Sequence, residues 1–235
     1  MINSSIRALL LAAGYGSRLR PLTLSTPKCL VNIKGRPLLE HWLIKLNKLP
    51  SEKVLINTHY LNNQVDNYLK DCNFKKLEII KTYEKQLLGT AGTFIRNIKF
   101  FSGSIGMLIH ADNYTEVDLN ELMNAHLNKP KECLITMLTF NTDNPRSCGI
   151  VEVNHKNIVT KLHEKIDNPP GNRANGAIYI FDDIFTEWIS RNYPYAKDFT
   201  NDILPRLLGR IYTWHTNEPY LDIGTKESLK KAQSI

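Results

Sequence analysis

Short apolar blocks alternate along the first half of the chain with stretches in which apolar residues recur every three or four positions. The short blocks are typical of buried strands, and the longer period is typical of helices with one apolar face. The predicted elements are, in order, the strand Arg7–Ala13, the helix Leu38–Asn47, the strand Val54–Asn57, the helix Leu61–Leu69, the strand Leu77–Ile80, the helix Thr90–Arg96 and the strand Ile105–Ile109. This alternation favours a mostly parallel sheet flanked by helices.

The pattern changes after about Cys133, where strand-like segments follow one another with few helices between them. The predicted elements are the strands Leu134–Phe140, Ile150–Val153, Ile158–His163 and Ala177–Phe181, the helices Asp182–Ser190 and Phe199–Leu208, and the strand Ile211–His215. Asp167–Asn172 contains Pro-Pro-Gly and predicts a surface loop rather than a domain boundary. We therefore expect one α/β domain over residues 1–235, with a mixed, Rossmann-like sheet and a smaller antiparallel extension.

Composition narrows the possible classes of protein. The chain has 235 residues, 42% of them hydrophobic, which suits a globular protein with a core. No apolar run approaches the roughly 18 residues of a transmembrane helix. Met1–Arg7 lacks the features of a signal peptide. The four cysteines are far apart, without a C-x-x-C pair, so reduced thiols are expected rather than disulfides or a metal site. We expect a cytoplasmic protein without membrane contact.

The net charge of +7 leaves several explanations open. The basic residues are scattered and form no run of the kind that binds nucleic acid, so we expect no nucleic-acid partner. A phosphate-rich small substrate would favour a positive site. Surface lysines that aid solubility are the other explanation.

A glycine-rich turn, Gly14-Tyr15-Gly16, directly follows the first predicted strand. Glycines in this position let the backbone approach phosphate groups closely. A dinucleotide-binding fingerprint would need a third glycine where Leu19 stands, and a P-loop would need G-K-[ST], which the chain lacks. Neither of these two motifs is present.

The residues around this turn resemble the signature of the sugar-1-phosphate nucleotidyltransferases. In that family a strand is followed by G-x-G-x-R-L-x-P-L-T, then P-K, then G-x-P-[LM]-[LI]-[EQ]. The corresponding segments here are Gly14–Thr23, Pro27-Lys28 and Gly35–Glu40. Later segments are also similar to the family's motifs, so the resemblance covers essentially the whole chain: Glu84–Gly92, Cys148–Glu152, Glu164-Lys165, Asn175–Tyr179 and Leu221–Thr225.

The resemblance implies an enzyme of nucleotide-sugar biosynthesis that condenses a nucleoside triphosphate with a sugar 1-phosphate and releases pyrophosphate. It implies a nucleotide-binding half at about residues 1–130 and a sugar-phosphate-binding half at about 131–235. The chain ends ten residues after Thr225, so no C-terminal β-helix is expected.

The family's functional residues carry over by position. Mg²⁺ is the expected cofactor, with Asp112 and Asp222 as its ligands, and the expected catalytic residues are Arg18, Lys28 and Asp112. The expected nucleotide-binding residues are Leu11, Ala13, Gly14, Gly16, Arg18, Lys28, Glu84, Gly89, Thr90 and Asp112. The expected sugar-phosphate-binding residues are Gly149, Glu164, Lys165, Asn175 and Gly176.

The segment Leu88–Gly92 resembles the guanylyl-transferring members more than the thymidylyl-transferring ones. This favours GTP, with mannose 1-phosphate or a manno-heptose 1-phosphate as the acceptor. Uridylyl or cytidylyl transfer to another sugar 1-phosphate or phosphorylated alcohol is the alternative. Some members form homodimers, and a homodimer is expected here only on that basis.

Two positions depart from the family's pattern. Ala111 precedes Asp112 where a glycine is usual, and Tyr220 stands where a tryptophan often lies. The small alanine strains a close phosphate approach without excluding it. We expect His110 to hydrogen-bond in the wall of the site rather than bind Mg²⁺, which prefers oxygen.

Two rival functions make different demands on the sequence. A metal-dependent glycosyltransferase commonly carries an Asp-x-Asp motif, and no two aspartates here have that spacing. A non-catalytic regulatory subunit should have lost Lys28, Asp112 or Asp222, and the chain keeps all three.

Overall fold

The structure is a computed structural model that describes residues 5–235. The segment Met1–Arg7, which lacks signal-peptide features, lies partly outside the described residues. The described chain divides into two compact units. The first unit comprises Ser5–Leu87, Ile109–Val117 and Pro219–Ile235. The second unit comprises Leu88–Leu108 and Asp118–Glu218. Whether residues 1–235 act as a single domain with the two predicted halves stays a prediction.

The strands and helices are numbered in chain order. The strands are β1 (Ile6–Leu11), β2 (Asn32–Ile33), β3 (Arg36–Pro37), β4 (Ser51–Thr58), β5 (Glu78–Tyr83), β6 (Ile105–His110), β7 (Asn113–Thr115), β8 (Ile135–Asn141), β9 (Gly149–Val153), β10 (Val159–Glu164), β11 (Arg173–Phe181), β12 (Ile211–Thr216) and β13 (Tyr220–Asp222). The α-helices are α1 (Leu22–Ser25), α2 (Leu38–Asn47), α3 (Asn62–Asp71), α4 (Thr90–Arg96), α5 (Leu119–Leu127), α6 (Asp183–Asn192) and α7 (Lys226–Ser234).

The first unit is built on parallel strands. β1 pairs with β4, and β4 pairs with β5, all in parallel. A separate antiparallel pair, β7 with β13, joins two segments that are distant in sequence. Helix α2 turns Leu39, Trp42, Leu43 and Leu46 inward, at the spacing expected of one helix face.

The second unit is largely antiparallel. β10 pairs with β9, and β11 pairs with both β9 and β8, in antiparallel orientation, whereas β12 runs parallel to β8. Its core contains a cluster of fully buried aromatic rings from α4, β11, α6 and the segments around them: Phe94, Phe101, Phe181, Phe185 and Phe199. The predicted mixed, mostly parallel sheet flanked by helices is confirmed, and so is its antiparallel extension.

The predicted elements mostly overlap the observed ones, although β4, β5 and β11 extend three or four residues beyond the predicted strands. Two further differences have identifiable reasons. β1 ends at Leu11 rather than Ala13 because the Ala12 N–H donates to Asn57 Oδ1 at 2.7 Å instead of continuing the ladder. The helix predicted over Phe199–Leu208 is wrong. A π-helical turn and a 3₁₀ turn replace it, because Pro205 has no N–H to donate within a helix.

Three α-helices, α1, α5 and α7, are absent from the predicted set. α5 begins after Asp118, whose side chain accepts from the Asn120 N–H, and it buries Leu119, Leu122 and Met123. α7 begins with a capping box between Thr225 and Ser228. No helix within residues 5–235 is long and apolar enough to span a membrane.

β11 contains an irregularity at which a non-glycine residue adopts a left-handed backbone. The register with β8 shifts between Asn175 and Tyr179, and Ala177 has a φ of 52°. The Ala177 N–H donates to Asn175 Oδ1 at 2.9 Å, which holds the chain in this conformation. This conformation costs an L-residue roughly 1–2 kcal/mol relative to glycine.

Ala177→Gly should therefore stabilise the protein. The relief of strain outweighs the greater entropy that glycine gives the unfolded chain, for a net gain of about 0.5–1 kcal/mol in the free energy of unfolding. Ala174, fully buried on the same strand without a left-handed backbone, is the matched control. Ala174→Gly should destabilise by about 1 kcal/mol. Urea unfolding measures both, and a loss of stability in Ala177→Gly would refute the strain argument.

Candidate active site

Lys28 is a nearly buried lysine at the centre of a charged cluster in the first unit. It lies in a 3₁₀ turn, Lys28–Leu30, and is only 7% exposed. Its ammonium group donates to Asp112 Oδ2 at 2.7 Å and to Asp222 Oδ1 at 3.3 Å. A lysine is almost never buried unless it is paired. Three of the residues predicted from the sequence therefore meet at one ammonium group.

Backbone pairing explains how Asp112 and Asp222 meet although they are distant in sequence. Asp112 follows β6 and precedes β7, and Asp222 is the last residue of β13. In the antiparallel pair of β7 with β13, Asp222 lies opposite Asn113. The Ile223 N–H also donates to the Asp112 carbonyl oxygen at 3.1 Å. The two carboxylates are therefore fixed by the fold and not only by their charges.

Arg18 adds a second cation to the cluster. Its Nη2 lies 3.3 Å from Asp222 Oδ2, and a side chain at Gly224 would collide with its guanidinium group. Arg18 is largely exposed, so this pair contributes little to stability. The formal charges of Arg18, Lys28, Asp112 and Asp222 sum to zero.

Two opposing effects act on Asp112. Burial raises the pKa of its carboxyl group, but the charges of Lys28 and His110 and the hydrogen bond from Lys28 lower it more. The net pKa of Asp112 lies below its ordinary value, so the carboxylate is ionised at neutral pH. It can therefore act as an anionic ligand.

The glycine-rich turn packs directly on Lys28. Gly16 has a φ of 61°, and a Cβ there would lie 2.9 Å from Thr23 Cγ2 and 3.0 Å from Lys28 Cβ. The Thr23 hydroxyl donates to the Gly16 carbonyl oxygen at 2.7 Å. In contrast, a Cβ at Gly14 would meet no protein atom within 4 Å. Gly16 is required by packing, whereas the space beside Gly14 is open.

Glu84 supports the chain just before the glycine-rich turn through Asn57, a residue that sequence reasoning missed. Glu84 is 1% exposed, and its Oε1 accepts from Asn57 Nδ2 at 3.0 Å. Asn57 Oδ1 in turn accepts from the N–H of Ala12, one residue before the buried Ala13. The Leu11 carbonyl oxygen, on the other side of Ala12, accepts from the Ala111 N–H at 3.1 Å. A direct contact of Glu84 with a nucleotide stays a prediction.

Tyr15 and His59 form a second brace that the sequence did not indicate. The Tyr15 hydroxyl lies 3.0 Å from His59 Nε2, and His59 Nδ1 lies 2.8 Å from the Glu84 carbonyl oxygen. If Nδ1–H donates to that carbonyl, Nε2 accepts from Tyr15. The brace ties the glycine-rich turn to the ends of β4 and β5.

Ala111 and Tyr220, the two departures from the family's pattern, both fit the structure without strain. Ala111 is fully buried, has no left-handed backbone, and donates its N–H to Leu11. Tyr220 is 8% exposed and pairs with Thr115 in the β7–β13 ladder.

In the second unit, Gly149, Glu164 and Lys165 are in contact. Glu164 lies opposite Gly149 in the β9–β10 pair, and a Cβ at Gly149 would lie 2.5 Å from Glu164 Oε2. Lys165 has a left-handed backbone, with a φ of 48°, and its ammonium group lies 3.1 Å from Glu164 Oε1. This ion pair is exposed enough for an anionic ligand to replace the carboxylate at low cost.

Asn175 lies on β11 and braces its irregularity. Its Nδ2 donates to the Tyr179 hydroxyl at 2.8 Å, and its Oδ1 accepts from Ala177. Gly176 is buried between these residues in the chain. The predicted sugar contacts of Asn175 and Gly176 stay predictions.

The turn that opens α4 is anchored within the second unit. The N–H groups of Ala91 and Gly92 donate to the Lys197 carbonyl oxygen, and the Thr90 hydroxyl oxygen accepts from the Phe199 N–H at 2.7 Å. Gly89 has a φ of 79° and a ψ of 170°, a region that only glycine adopts freely. A Cβ at Gly89 would collide with the Lys197 carbonyl oxygen.

Gly89→Ala should therefore lose roughly 2–5 kcal/mol in the free energy of unfolding, from backbone strain and from displacement of the α4 turn. Gly103 is the matched control, because it also has a positive φ, 71°, but has open space around it. Gly103→Ala should lose only about 1–2 kcal/mol. Equal losses in denaturant unfolding of the two variants would show that the Lys197 contact does not constrain the turn.

The chain is similar to known proteins along most of its length. The family model described as nucleotidyl transferase matches residues 7–235. The chain is 31% identical over 219 residues to the mannose-1-phosphate guanylyltransferase catalytic subunit beta of Drosophila melanogaster, covering 85% of this chain and 58% of that protein. It is 27% identical over 223 residues to the D-glycero-alpha-D-manno-heptose 1-phosphate guanylyltransferase of Campylobacter jejuni, covering 94% and 96%.

A solved structure, that of HddC from Yersinia pseudotuberculosis, shares the fold with a TM-score of 0.78, at 24% identity, over 97% of this chain and 98% of that one. The chain spans between 54% and 65% of the length of four of the curated relatives that it matches. The family match extends over almost the whole chain, from β1 to α7. The chain belongs to the nucleotidyl transferase family.

Proposed function

We propose that this protein condenses a nucleoside triphosphate with a sugar 1-phosphate to give a nucleoside diphosphate sugar and pyrophosphate. The observation that carries the proposal is the Lys28 ammonium group held between Asp112 and Asp222 beside the glycine-rich turn. Both reactants are anions whose repulsion must be offset before they react. A site with fixed cations and a pair of carboxylates for a divalent metal provides that compensation.

The donor atoms at the cluster fit Mg²⁺. Carboxylate oxygens are its preferred protein ligands, and it is commonly bound by one or two carboxylates together with substrate phosphates and water. Within residues 5–235 no group of three or more His, Cys, Asp or Glu side chains is arranged to hold a metal. We assign the two metal-binding carboxylates to Asp112 and Asp222, which lie against the same ammonium group. Mg²⁺, when bound, would polarise the α-phosphate and neutralise charge that develops on it.

Arg18 and Lys28 would neutralise the β- and γ-phosphates as they leave. In the reaction a sugar-phosphate oxygen bonds to the α-phosphorus while the bond from that phosphorus to the bridging oxygen of the β-phosphate breaks. The pyrophosphate leaves with the electron pair of the broken bond. The fork of Arg18 suits bidentate phosphate contact, and the ammonium group of Lys28 acts as a point charge. The open space at Gly14 supports close approach of a phosphate to the backbone.

Lys165 and Glu164 would receive the acceptor. Lys165 would exchange its exposed contact with Glu164 for the acceptor phosphate, and Glu164 would then accept hydrogen bonds from sugar hydroxyls. No general base is required, because a phosphate monoester is already ionised near neutral pH. The work of the protein is therefore positioning and charge compensation.

GTP is the proposed donor, and mannose 1-phosphate or a manno-heptose 1-phosphate is the proposed acceptor. The resemblance of Leu88–Gly92 to the guanylyl-transferring members supports this choice, as do the names of the curated relatives. A cytoplasmic location and a homodimer stay predictions.

Release of pyrophosphate tests the proposal directly. The protein is incubated with Mg²⁺, each of GTP, UTP, CTP, dTTP and ATP, and a panel of sugar 1-phosphates. GTP with mannose 1-phosphate or a manno-heptose 1-phosphate should give the highest kcat/KM, and EDTA should abolish the reaction. Asp222→Asn should lower kcat by at least about a hundredfold, because an interaction with developing charge is lost.

Asp66→Asn is the control, since Asp66 pairs with Lys81 on the surface of the same unit, outside the cluster. It should retain full activity. Full activity in Asp222→Asn or in EDTA would overturn the metal assignment. A preference for UTP or CTP would assign the protein to another branch of the family.

A further inference from the structure

Arg173, at the start of β11, is a partly buried cation whose guanidinium group donates to two neutral hydroxyl groups. Its Nε donates to Thr139 Oγ1 at 3.1 Å and its Nη2 donates to Thr213 Oγ1 at 2.9 Å. Both threonines are buried. In the part of the chain that the structure describes, residues 5–235, no carboxylate lies within ion-pair distance of Arg173. The guanidinium carries five N–H donors, and these two bonds use only some of them.

His215 lies beside this guanidinium and does not compensate its charge. His215 Nδ1 is 3.2 Å from the Thr139 hydroxyl oxygen to which Arg173 also donates. Burial and then the charge of Arg173 lower the pKa of His215, so the imidazole is neutral at pH 7. The cluster of Arg173, Thr139, Thr213 and His215 therefore has a net charge of +1 at that pH. A partly desolvated charge of this kind is stabilised most by an anion.

Strand register places this cluster on the face that carries the predicted acceptor residues. Asn175 and His215 both lie opposite Thr139, on the two strands that flank β8. Ala174 lies opposite Ile150, so these two residues are on the same face of the sheet. Because successive residues of a strand alternate between faces, the neighbours of Ala174, Arg173 and Asn175, are on the opposite face. Gly149, the neighbour of Ile150, is on that opposite face too. Glu164 lies opposite Gly149. Arg173 thus extends the row of Glu164, Gly149 and Asn175 on one face of the second unit.

We propose that Arg173, held in place by Thr139 and Thr213, is an oxyanion-binding residue that binds a phosphate monoester on this face. If the bound phosphate group belongs to the acceptor sugar 1-phosphate, the inference rests on the proposed function. Free inorganic phosphate has the same chemistry and is the other ligand that could occupy the site. A fixed arginine fork with unused donors matches the oxygens of a phosphate group, and its two threonine anchors limit the entropy lost on binding.

Calorimetry in the absence of any nucleotide separates these two ligands. Wild-type protein, Arg173→Met and Arg173→Lys are titrated with mannose 1-phosphate, inorganic phosphate and mannose. Arg191→Met is the control, since Arg191 is an exposed arginine of the same unit that pairs with Glu187 on α6. Arg173→Met should weaken mannose 1-phosphate binding roughly 10- to 100-fold, the equivalent of a lost charge-assisted hydrogen bond. Arg173→Lys should lose less, and Arg191→Met should bind as the wild type does.

The outcomes are distinguishable. Loss of mannose 1-phosphate binding alone identifies the acceptor as the ligand, and equal loss for inorganic phosphate identifies a free phosphate site. Unchanged binding of both ligands in Arg173→Met overturns the proposal, even if pyrophosphate release shows the proposed function to be right. Arg173-dependent phosphate binding without pyrophosphate release would instead overturn the proposed function alone. Equal thermal midpoints for wild type and Arg173→Lys exclude misfolding as the cause of any loss in that variant.

Discussion

The arrangement of the first unit depends on one buried ammonium group shared by two carboxylates. Lys28 is nearly removed from water, and a charge in that position must be compensated by hydrogen-bonded partners of opposite sign. Asp112 and Asp222 provide that compensation because the β7–β13 ladder brings them together. Gly16 and Gly224 leave the space that Lys28 and Arg18 need. The glycine-rich turn and the segments around Asp112 and Asp222 therefore meet one requirement, the compensation of the buried Lys28 charge.

This constraint also bears on how a metal and a nucleotide would enter. With Arg18, Lys28, Asp112 and Asp222 the cluster is formally neutral, so a divalent cation that binds alone would leave two positive charges uncompensated. The phosphates of a nucleotide would cancel that excess and would also offer Lys28 and Arg18 new partners. We therefore expect metal and nucleotide to bind cooperatively, with Lys28 bonded to the carboxylates before they arrive.

Local sequence patterns predicted local structure well. The helices Leu38–Asn47 and Thr90–Arg96 agree to the residue, because each has a clear apolar period and a defined start. α5 was missed although its signal is local, since Asp118 precedes apolar residues at helical spacing. The apolar residues after Asp198 predict a helix, but Pro205 interrupts it.

The candidate site could be predicted only where a motif named its residues. The resemblance identified Lys28, Asp112 and Asp222, and the structure brings these three together. Asn57 and His59 support the glycine-rich turn through contacts with residues distant in sequence. Such roles depend on tertiary packing and leave no periodic or compositional trace. Arg173 is of the same kind, because only the three-dimensional structure shows that no carboxylate of residues 5–235 lies within ion-pair distance of it.

The most direct test of the central claim is the affinity of the free protein for Mn²⁺, a probe for Mg²⁺, measured by electron paramagnetic resonance without nucleotide. If Lys28 neutralises the two carboxylates, its removal in Lys28→Met should raise Mn²⁺ affinity at least about tenfold, although catalysis is lost. Lys81→Met, which removes a surface lysine paired with Asp66 in the same unit, should leave the affinity unchanged. Equal or weaker Mn²⁺ binding by Lys28→Met would contradict the account.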